Sequence, residues 1–347
     1  MYTKEPLISV IIPVYNSAKY ISKCLNSVIM QPFKDIEIIC VNDASTDSSL
    51  DIIKKYSQLD NRIKVFSNKT NIGAGYSRNL ALENARGKYI YFLDSDDWLV
   101  QDGLTKLANV LKQFGEVDVI AFSHYSVNAV THIKHNFPDT PLKLTNRIIN
   151  IYDTPECIQY LGYGMTKLLR RLFLEQFNIK FNNDKCFEDV AHFLDLAPKA
   201  KSIVFINDKI FNYRISRQGS VISKQDKYIN YLVQDTRKAD EISKKIDSKV
   251  RIELLKKIYS TLAYTALISY SNFKLSHSEL KDIFNKEIDY NFLKKYNMSY
   301  YAYMHDKILN TPEKIFLIEN FFKMKVKKFF PTFFEVYRTI KSILIRK

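Results

Sequence analysis

The sequence predicts an α/β fold: a mostly parallel, doubly wound sheet flanked by helices, followed by a C-terminal helical extension. Two observations lead there. Over the first 125 of 347 residues, short β-branched or aromatic runs alternate with stretches of helical spacing, and beyond about residue 223 the chain is glycine-free and helical in period. A β-α-β series winds its strands parallel through right-handed crossovers, which fixes the sheet type. In chain order, strands are expected at 7–12, 36–41, 63–66, 89–93 and 117–122, with helices at 18–30, 48–58 and 74–85 between them. Ser45-Thr46-Asp47 supplies polar start signals for the second helix. From 126 to 214 the pattern is broken by Pro138, Pro141 and Pro155, leaving a helix at 188–196 and strands at 202–206 and 210–213. Apolar residues at helical spacing over 228–246, 251–270 and 279–284 read as a C-terminal bundle. The expected division is therefore 1–222, with halves 1–125 and 126–222, and a helical region 223–347 ending in a basic amphipathic tail, 323–347.

Composition narrows the function classes. No apolar run reaches the roughly 20 residues of a membrane span, and the N-terminus enters a strand pattern with no signal-peptide profile, so a cytoplasmic protein is expected. Cys24, Cys40, Cys157 and Cys186 are scattered without a C-x-x-C pair, so they read as packing residues rather than a zinc site or disulfide framework. The net charge of +15 calls for an anionic partner, and nearly half of the excess lies in 323–347, where eight basic residues face one acidic residue. No zinc-finger, helix-turn-helix or aromatic RNA-binding signature accompanies that charge, so no nucleic-acid partner is expected. Aromatic and aliphatic residues in the tail alternate with Arg338, Lys341, Arg346 and Lys347, as in an interfacial helix. At about 1 kcal/mol per basic residue near an anionic leaflet, the tail suffices for reversible membrane contact. The alternative is a last bundle helix with a basic solvent face.

The strand at 89–93 ends in Asp94-Ser95-Asp96-Asp97, three carboxylates in four positions. Such a strand delivers them to the carboxyl edge of the sheet, where open α/β sheets bind ligands. Crowded carboxylates repel, and a divalent cation with a phosphate-bearing ligand relieves that repulsion. A solvated turn capping the helix near Asp102 is the competing reading. Other strand ends supply matching groups: Pro13, Tyr15 and Asn16 after the first, Asn42 and Asp43 after the second, and a loop with Asn71-Ile72-Gly73 leading to Arg78 after the third. An aromatic face, an acceptor for a base N–H, a cation and an acid pair suit a nucleoside diphosphate. The dinucleotide fingerprint does not fit, because Gly73-Ala74-Gly75-Tyr76-Ser77-Arg78 lacks the third glycine and does not follow the first strand; no Walker motif is present either.

In order and spacing, Val10-Ile11-Ile12-Pro13-Val14-Tyr15-Asn16, Val41-Asn42-Asp43-Ala44-Ser45-Thr46-Asp47, Asn71-Ile72-Gly73, Ser77-Arg78-Asn79 and Phe92-Leu93-Asp94-Ser95-Asp96-Asp97 resemble the family 2 glycosyltransferases of GT-A-type, Rossmann-like fold. The likeness is densest over 7–98, continues at Glu188-Asp189-Val190 and Tyr213-Arg214, and is lost after about 223. It implies a nucleotide-sugar half (1–125) and an acceptor half (126–222). It also implies that Pro13, Tyr15, Asn16, Asp43, Arg78, Asp94 and Ser95 hold the nucleotide-sugar, and that Asp94 and Asp96 bind Mn²⁺ or Mg²⁺ on its diphosphate. Asp189 is the implied catalytic base, with Glu188 the second choice; a first-turn acid that only complements the helix dipole is the competing role.

The implied reaction is an inverting, metal-dependent transfer of a hexosyl or N-acetylhexosaminyl group from a UDP-sugar. The acceptor would be a hydroxyl of a glycan or lipid-linked glycan, in bacterial surface polysaccharide or lipopolysaccharide synthesis, with the enzyme peripheral on the inner face of the cytoplasmic membrane. A non-catalytic nucleotide-sugar-binding subunit is the alternative. One departure stands out: the histidine that related enzymes carry late in the domain as a metal ligand is missing from Tyr213-Arg214-Ile215-Ser216-Arg217-Gln218-Gly219-Ser220, which leaves the metal shell open. Arg214 and Arg217 offer contacts to diphosphate or acceptor instead. His192, four residues after Glu188, reads as a packing residue.

Overall fold

A computed structural model describes residues 5–136, 139–162, 164–182, 188–215, 229–271 and 276–296, with 298 and 302. One unit comprises Met1–Ser223 with Ile242–Leu254, and the other Lys224–Glu241 with Leu255–Lys347. The first is built on a ten-stranded sheet: β1 (Ile8–Val14), β2 (Ile36–Asn42), β3 (Ile63–Ser67), β4 (Tyr89–Phe92), β5 (Trp98–Leu99), β6 (Val119–Asn128), β7 (Lys134–Asn136), β8 (Ile148–Ile149), β9 (Lys167–Arg170) and β10 (Ile203–Ile215). Its order is β3-β2-β1-β4-β9-β6-β10-β5, with β7 on β6 and β8 on β10. The first four strands are parallel, and the second half is mixed because β9 enters antiparallel between β4 and β6.

This order sets the place of the site. The chain winds outward from β1 through β2 to β3, then returns to put β4 on the other side of β1, which makes the β1/β4 boundary a topological switch point. Val14 is in register with Asn42, and Ile11 with Phe92, so the segments after β1, β2 and β4 leave from one edge. Leu168 pairs with Tyr91, so β9 begins at that edge, and β6 and β10, parallel to each other and opposed to β9, end there. β1 and β2 are buried along their whole length, as continuous apolar runs require in a sheet covered on both faces.

Helices α1 (Ile21–Ile29), α2 (Ser49–Leu59), α3 (Ala74–Glu83), α4 (Gly103–Phe114), α5 (Arg171–Gln176) and α6 (Glu188–Leu196) flank the sheet. α1 buries Ile21, Cys24, Leu25 and Val28, an i, i+3, i+4, i+7 stripe. α3 differs, burying Gly75, Ser77, Arg78 and Ala81. A helix that turns an arginine inward is held by polar contacts, which the site supplies. In the second unit the described segments are helical: α7 (Ile229–Ser243) and α8 (Ser248–Ser271) extend into it, and α9 (His277–Lys286) and α10 (Tyr290–Lys295) lie within it. Ser276 and Glu279 close a capping box on α9, and Asp289 caps α10. Among the described residues no helix is long and apolar enough to cross a membrane; the tail 323–347 lies outside them.

The expected strands at 202–206 and 210–213 are one strand, β10, whose pairing with β6 shifts register around Lys209. Asn207-Asp208-Lys209 has turn composition, yet Asn207 bonds the backbone of Thr140 and Lys209 reaches Ser123, so the polar residues are absorbed as an irregularity within the strand. At the edge away from the site, buried Glu37 accepts from Ser9 Oγ (2.7 Å), Arg86 N–H (2.6 Å), Gly87 N–H (3.1 Å) and Lys64 Nζ (2.7 Å). Burial works to raise its pKa, but the Lys64, Ser9 and backbone hydrogen bonds outweigh it and hold the carboxyl below its ordinary value. A Cβ on Gly87 would lie 2.4 Å from Ser9 N and 2.9 Å from Ile8 C, both backbone atoms. Gly87→Ala is therefore expected to destabilise the protein by roughly 1–3 kcal/mol, read as a lower urea midpoint; a midpoint equal to wild type would mean that β1 and β4 are not packed this closely.

Candidate active site

The segments after β1 and β2 are clasped into one piece. Asn16 N–H donates to Ser45 Oγ (3.1 Å), Asn16 Oδ1 accepts from Thr46 N–H (2.8 Å), Ser17 N–H donates to Ser49 Oγ (2.8 Å) and Ala18 N–H to Asp47 Oδ2 (3.0 Å). Asn16 and Ala44 both hold left-handed backbone, with φ of 45° and 54°. Asparagine tolerates this conformation far better than alanine does. Of the residues expected to cradle a base, Tyr15 is 48% exposed and presents its ring to solvent. Pro13 is buried within β1, and the Asn16 side chain is engaged in the clasp. Ser95 is buried, its Oγ 2.7 Å from Ser17 Oγ, and so ties the segment after β4 to the clasp.

Asp43, also buried, accepts from Asn68 Nδ2 (2.8 Å) and Ile72 N–H (3.0 Å) at Oδ1, and from Gly73 N–H (2.8 Å) at Oδ2. It thereby fixes the loop leading into α3. A carboxylate offers about four acceptor positions, so one is left after these three bonds.

Arg78 is the centre of the arrangement. Its side chain is 4% exposed and donates from Nη2 to Asp94 Oδ1 and from Nη1 to Glu188 Oε1, both at 2.7 Å. The guanidinium lies 5.0 Å from the centroid of Phe181, whose backbone is held by Asn79 through two hydrogen bonds. Burial opposes the charge, but Asp94 and Glu188 outweigh it and push the pKa above its ordinary value. Phe181 stacks on His192 at 4.1 Å, which accounts for that histidine as a packing residue.

Asp97 is buried; its N–H donates to Asp94 O (3.0 Å), closing a turn, and its Oδ1 accepts from Arg214 N–H (2.8 Å). Arg214 Nε in turn donates to Asp96 O (2.8 Å), and its guanidinium lies 4.8 Å from the Tyr20 ring centroid and 4.7 Å from that of Trp98. The end of β10 thus grips the acidic turn from behind. The sequence reading gave Asp97 no role apart from the acidic cluster and offered Arg214 as a contact to diphosphate or acceptor; their shared work in shaping this turn has no signature in either segment alone. Arg217 lies outside the described residues.

Asp189, in the first turn of α6, is partly buried beside Glu188. Burial, then the Glu188 charge, pushes its carboxyl up to about 6, against the pull of Arg78 and Lys167. A carboxylate so tuned is suited to accepting a proton near neutral pH. Lys167, at the start of β9, is a buried cation that the sequence reading passed over; a lone lysine in a four-residue strand has no periodic signal.

For a divalent cation, Asp94 and Asp96 offer hard oxygen donors. Asp94 is one-third exposed and uses Oδ1 for Arg78. Among the described residues no group of three or more histidine, cysteine or acidic side chains is arranged to hold a metal. Two carboxylates suit a cation bound chiefly by phosphate oxygens and water, so the residues present fit Mg²⁺ or Mn²⁺ on a diphosphate.

The family model described as glycosyl transferase family 2 matches residues 9–173. The chain is 33% identical to glycosyltransferase GlyA of Streptococcus pneumoniae serotype 4 over 221 residues, which are 62% of this chain but 31% of GlyA, so it spans about a third of that relative's length. It is 30% identical to the putative glycosyltransferase EpsH of Bacillus subtilis strain 168 over 272 residues, 71% of this chain and 74% of EpsH. In three dimensions it resembles the crystal structure of S. aureus TarS 1-349 in complex with UDP-GlcNAc, with a TM-score of 0.68 at 22% identity over 90% of this chain and 89% of that one, a likeness of fold.

Replacing Arg78 would leave Asp94 and Glu188 facing each other without a cation. Arg78→Met is expected to lose about 3–5 kcal/mol in urea unfolding, with Arg78→Lys recovering only part, because one ammonium does not reproduce a fork donating to two carboxylates. Equal stability of Arg78→Met and wild type would rule out the buried bridge.

Proposed function

The chain belongs to glycosyl transferase family 2, and we propose that it transfers a sugar from a UDP-sugar to a hydroxyl of a glycan or lipid-linked glycan in surface polysaccharide synthesis, with inversion at the anomeric carbon. The observation that carries this reading is the Arg78 bridge, which sets the acidic turn that would face a diphosphate and the Glu188-Asp189 pair at one sheet edge. The TarS complex with UDP-GlcNAc supports the donor class, and the name of the S. aureus counterpart, poly(ribitol-phosphate) beta-N-acetylglucosaminyltransferase, supports an anionic cell-surface polymer as acceptor.

In this reading Tyr15 stacks on the base, the remaining acceptor position of Asp43 takes a base N–H, and the clasp with Asn16 keeps both in place. Asp94 and Asp96 would hold Mn²⁺ or Mg²⁺, which when bound offsets charge developing on the departing UDP. Arg78 orients Asp94 and Glu188. Asp189 accepts the proton of the acceptor hydroxyl as its oxygen bonds the anomeric carbon and the bond from that carbon to the diphosphate oxygen breaks. A single displacement from the face opposite UDP gives inversion. The basic tail would bring the enzyme to an anionic inner leaflet where lipid-linked acceptors reside.

A panel of UDP-, GDP- and dTDP-sugars with Mn²⁺ or Mg²⁺, followed by nucleotide release, identifies the donor; thermal stabilisation by no donor in the presence of metal would sink the catalytic reading. Asp189→Asn is expected to lower turnover by about 10²–10⁴-fold while UDP still binds. Because the carboxyl is effective only when ionised, wild-type turnover should fall as pH drops through about 6. An Asp189→Asn enzyme with wild-type turnover would remove Asp189 from the chemistry.

A further inference from the structure

Lys167 is 3% exposed and lies at the sheet edge where β4 ends, one residue before the Leu168–Tyr91 pair. Buried lysines usually extend their ammonium to water. This one instead donates Nζ to the carbonyl oxygens of Gly162 and, at 3.1 Å, Gly164. Gly164, so held, lies against the Asp189 carboxyl. Gly164 has φ +61°, and a Cβ built on it would fall 3.1 Å from Asp189 Oδ2. The backbone at 164 therefore forms a wall of the space around that oxygen, where a side chain would crowd the carboxyl and the left-handed backbone favours glycine.

The charges around Asp189 make Lys167 matter. Glu188 on α6 and Asp94 after β4 disfavour its ionisation, Arg78 on α3 and Lys167 on β9 favour it, and Tyr213 on β10 also lies within the same field. Arg78 directs its two terminal nitrogens to Asp94 and Glu188. The hydrogen bonds of Lys167 go to carbonyl oxygens, which leaves its net charge to act on Asp189. Burial lowers the Lys167 pKa to about 8, with Asp189 opposing the fall, so the ammonium persists at neutral pH.

We propose that Lys167 is a positioning residue for Asp189: through its bonds to the Gly162 and Gly164 carbonyl oxygens it holds the Gly164 backbone against the carboxyl, and it supplies a positive charge near that group. The proposal rests on the assignment of Asp189 as base, and its test separates the two. The probe is the carboxyl ¹³C resonance of Asp189 in the whole protein, assigned by its loss in Asp189→Asn and followed through pH without added metal. Lys167→Met is expected to move the midpoint up by about 1 pH unit, and Lys167→Arg to bring it back toward wild type. If Lys167→Met fails to fold, Lys167→Gln takes its place in the same titration. A midpoint that does not move on removal of the ammonium overturns the proposal, as does a failure of Lys167→Arg to restore it. Wild-type turnover in Asp189→Asn, by contrast, would overturn the assignment of the base while leaving the titration result intact.

Discussion

The buried guanidinium of Arg78 is the constraint on which the remainder of the site depends. Three pieces of chain meet on it: α3, which carries it, the acidic turn after β4, and the start of α6. A cation removed from water is tolerated only with both forks occupied, and the two carboxylates, left alone, would repel. The mutual requirement explains the polar inward face of α3 and the clamp of Asn79 on Phe181, which lays an aromatic ring beside the guanidinium. Ligand chemistry is then placed around a fixed point rather than on independent loops.

A second level of order comes from backbone groups satisfied by side chains. Asp43, Asp47, Asn16 and Ser49 each receive a main-chain N–H from another loop. Loops that would otherwise expose unpaired donors are thus built before any ligand arrives, and less conformational freedom is left to lose on binding. The same economy limits roles: the Asn16 amide oxygen and most of Asp43 are occupied, while Tyr15 keeps an exposed aromatic side chain.

Much of this was legible in the sequence because it is carried by local patterns. The continuous apolar runs of β1, β2 and β4 and the polar residues at their ends announce both the sheet and its working edge. Asp43, Asp94 and Asp96 are sited at that edge as their positions after strands implied, and Asp189 in the first turn of α6, whereas Arg78 lies a full turn into α3. The second half of the sheet was harder to read. β9 has only Leu168 and Leu169 between basic residues, and it became a strand because β4 and β6 were available on either side. Asp97 and Arg214 meet across 117 residues, a pairing no spacing rule connects. The role proposed for Lys167 rests on the close approach of Gly164 to α6, which is tertiary in origin.

The Arg78–Glu188 bond spans 110 residues, and this has a consequence for how the chain is made. Ribosomes deliver the N-terminal strands first, and these are apolar enough to collapse as they emerge. At that stage the arginine of α3 has Asp94 but lacks its second carboxylate, so an early compact form would hold an incompletely neutralised cation next to its core. The bridge is complete only after α6 has been synthesised, and the sheet only after β9 has taken its place between β4 and β6. The last contacts to form in the order of synthesis are thus the ones that join the two halves of the sheet at the candidate site.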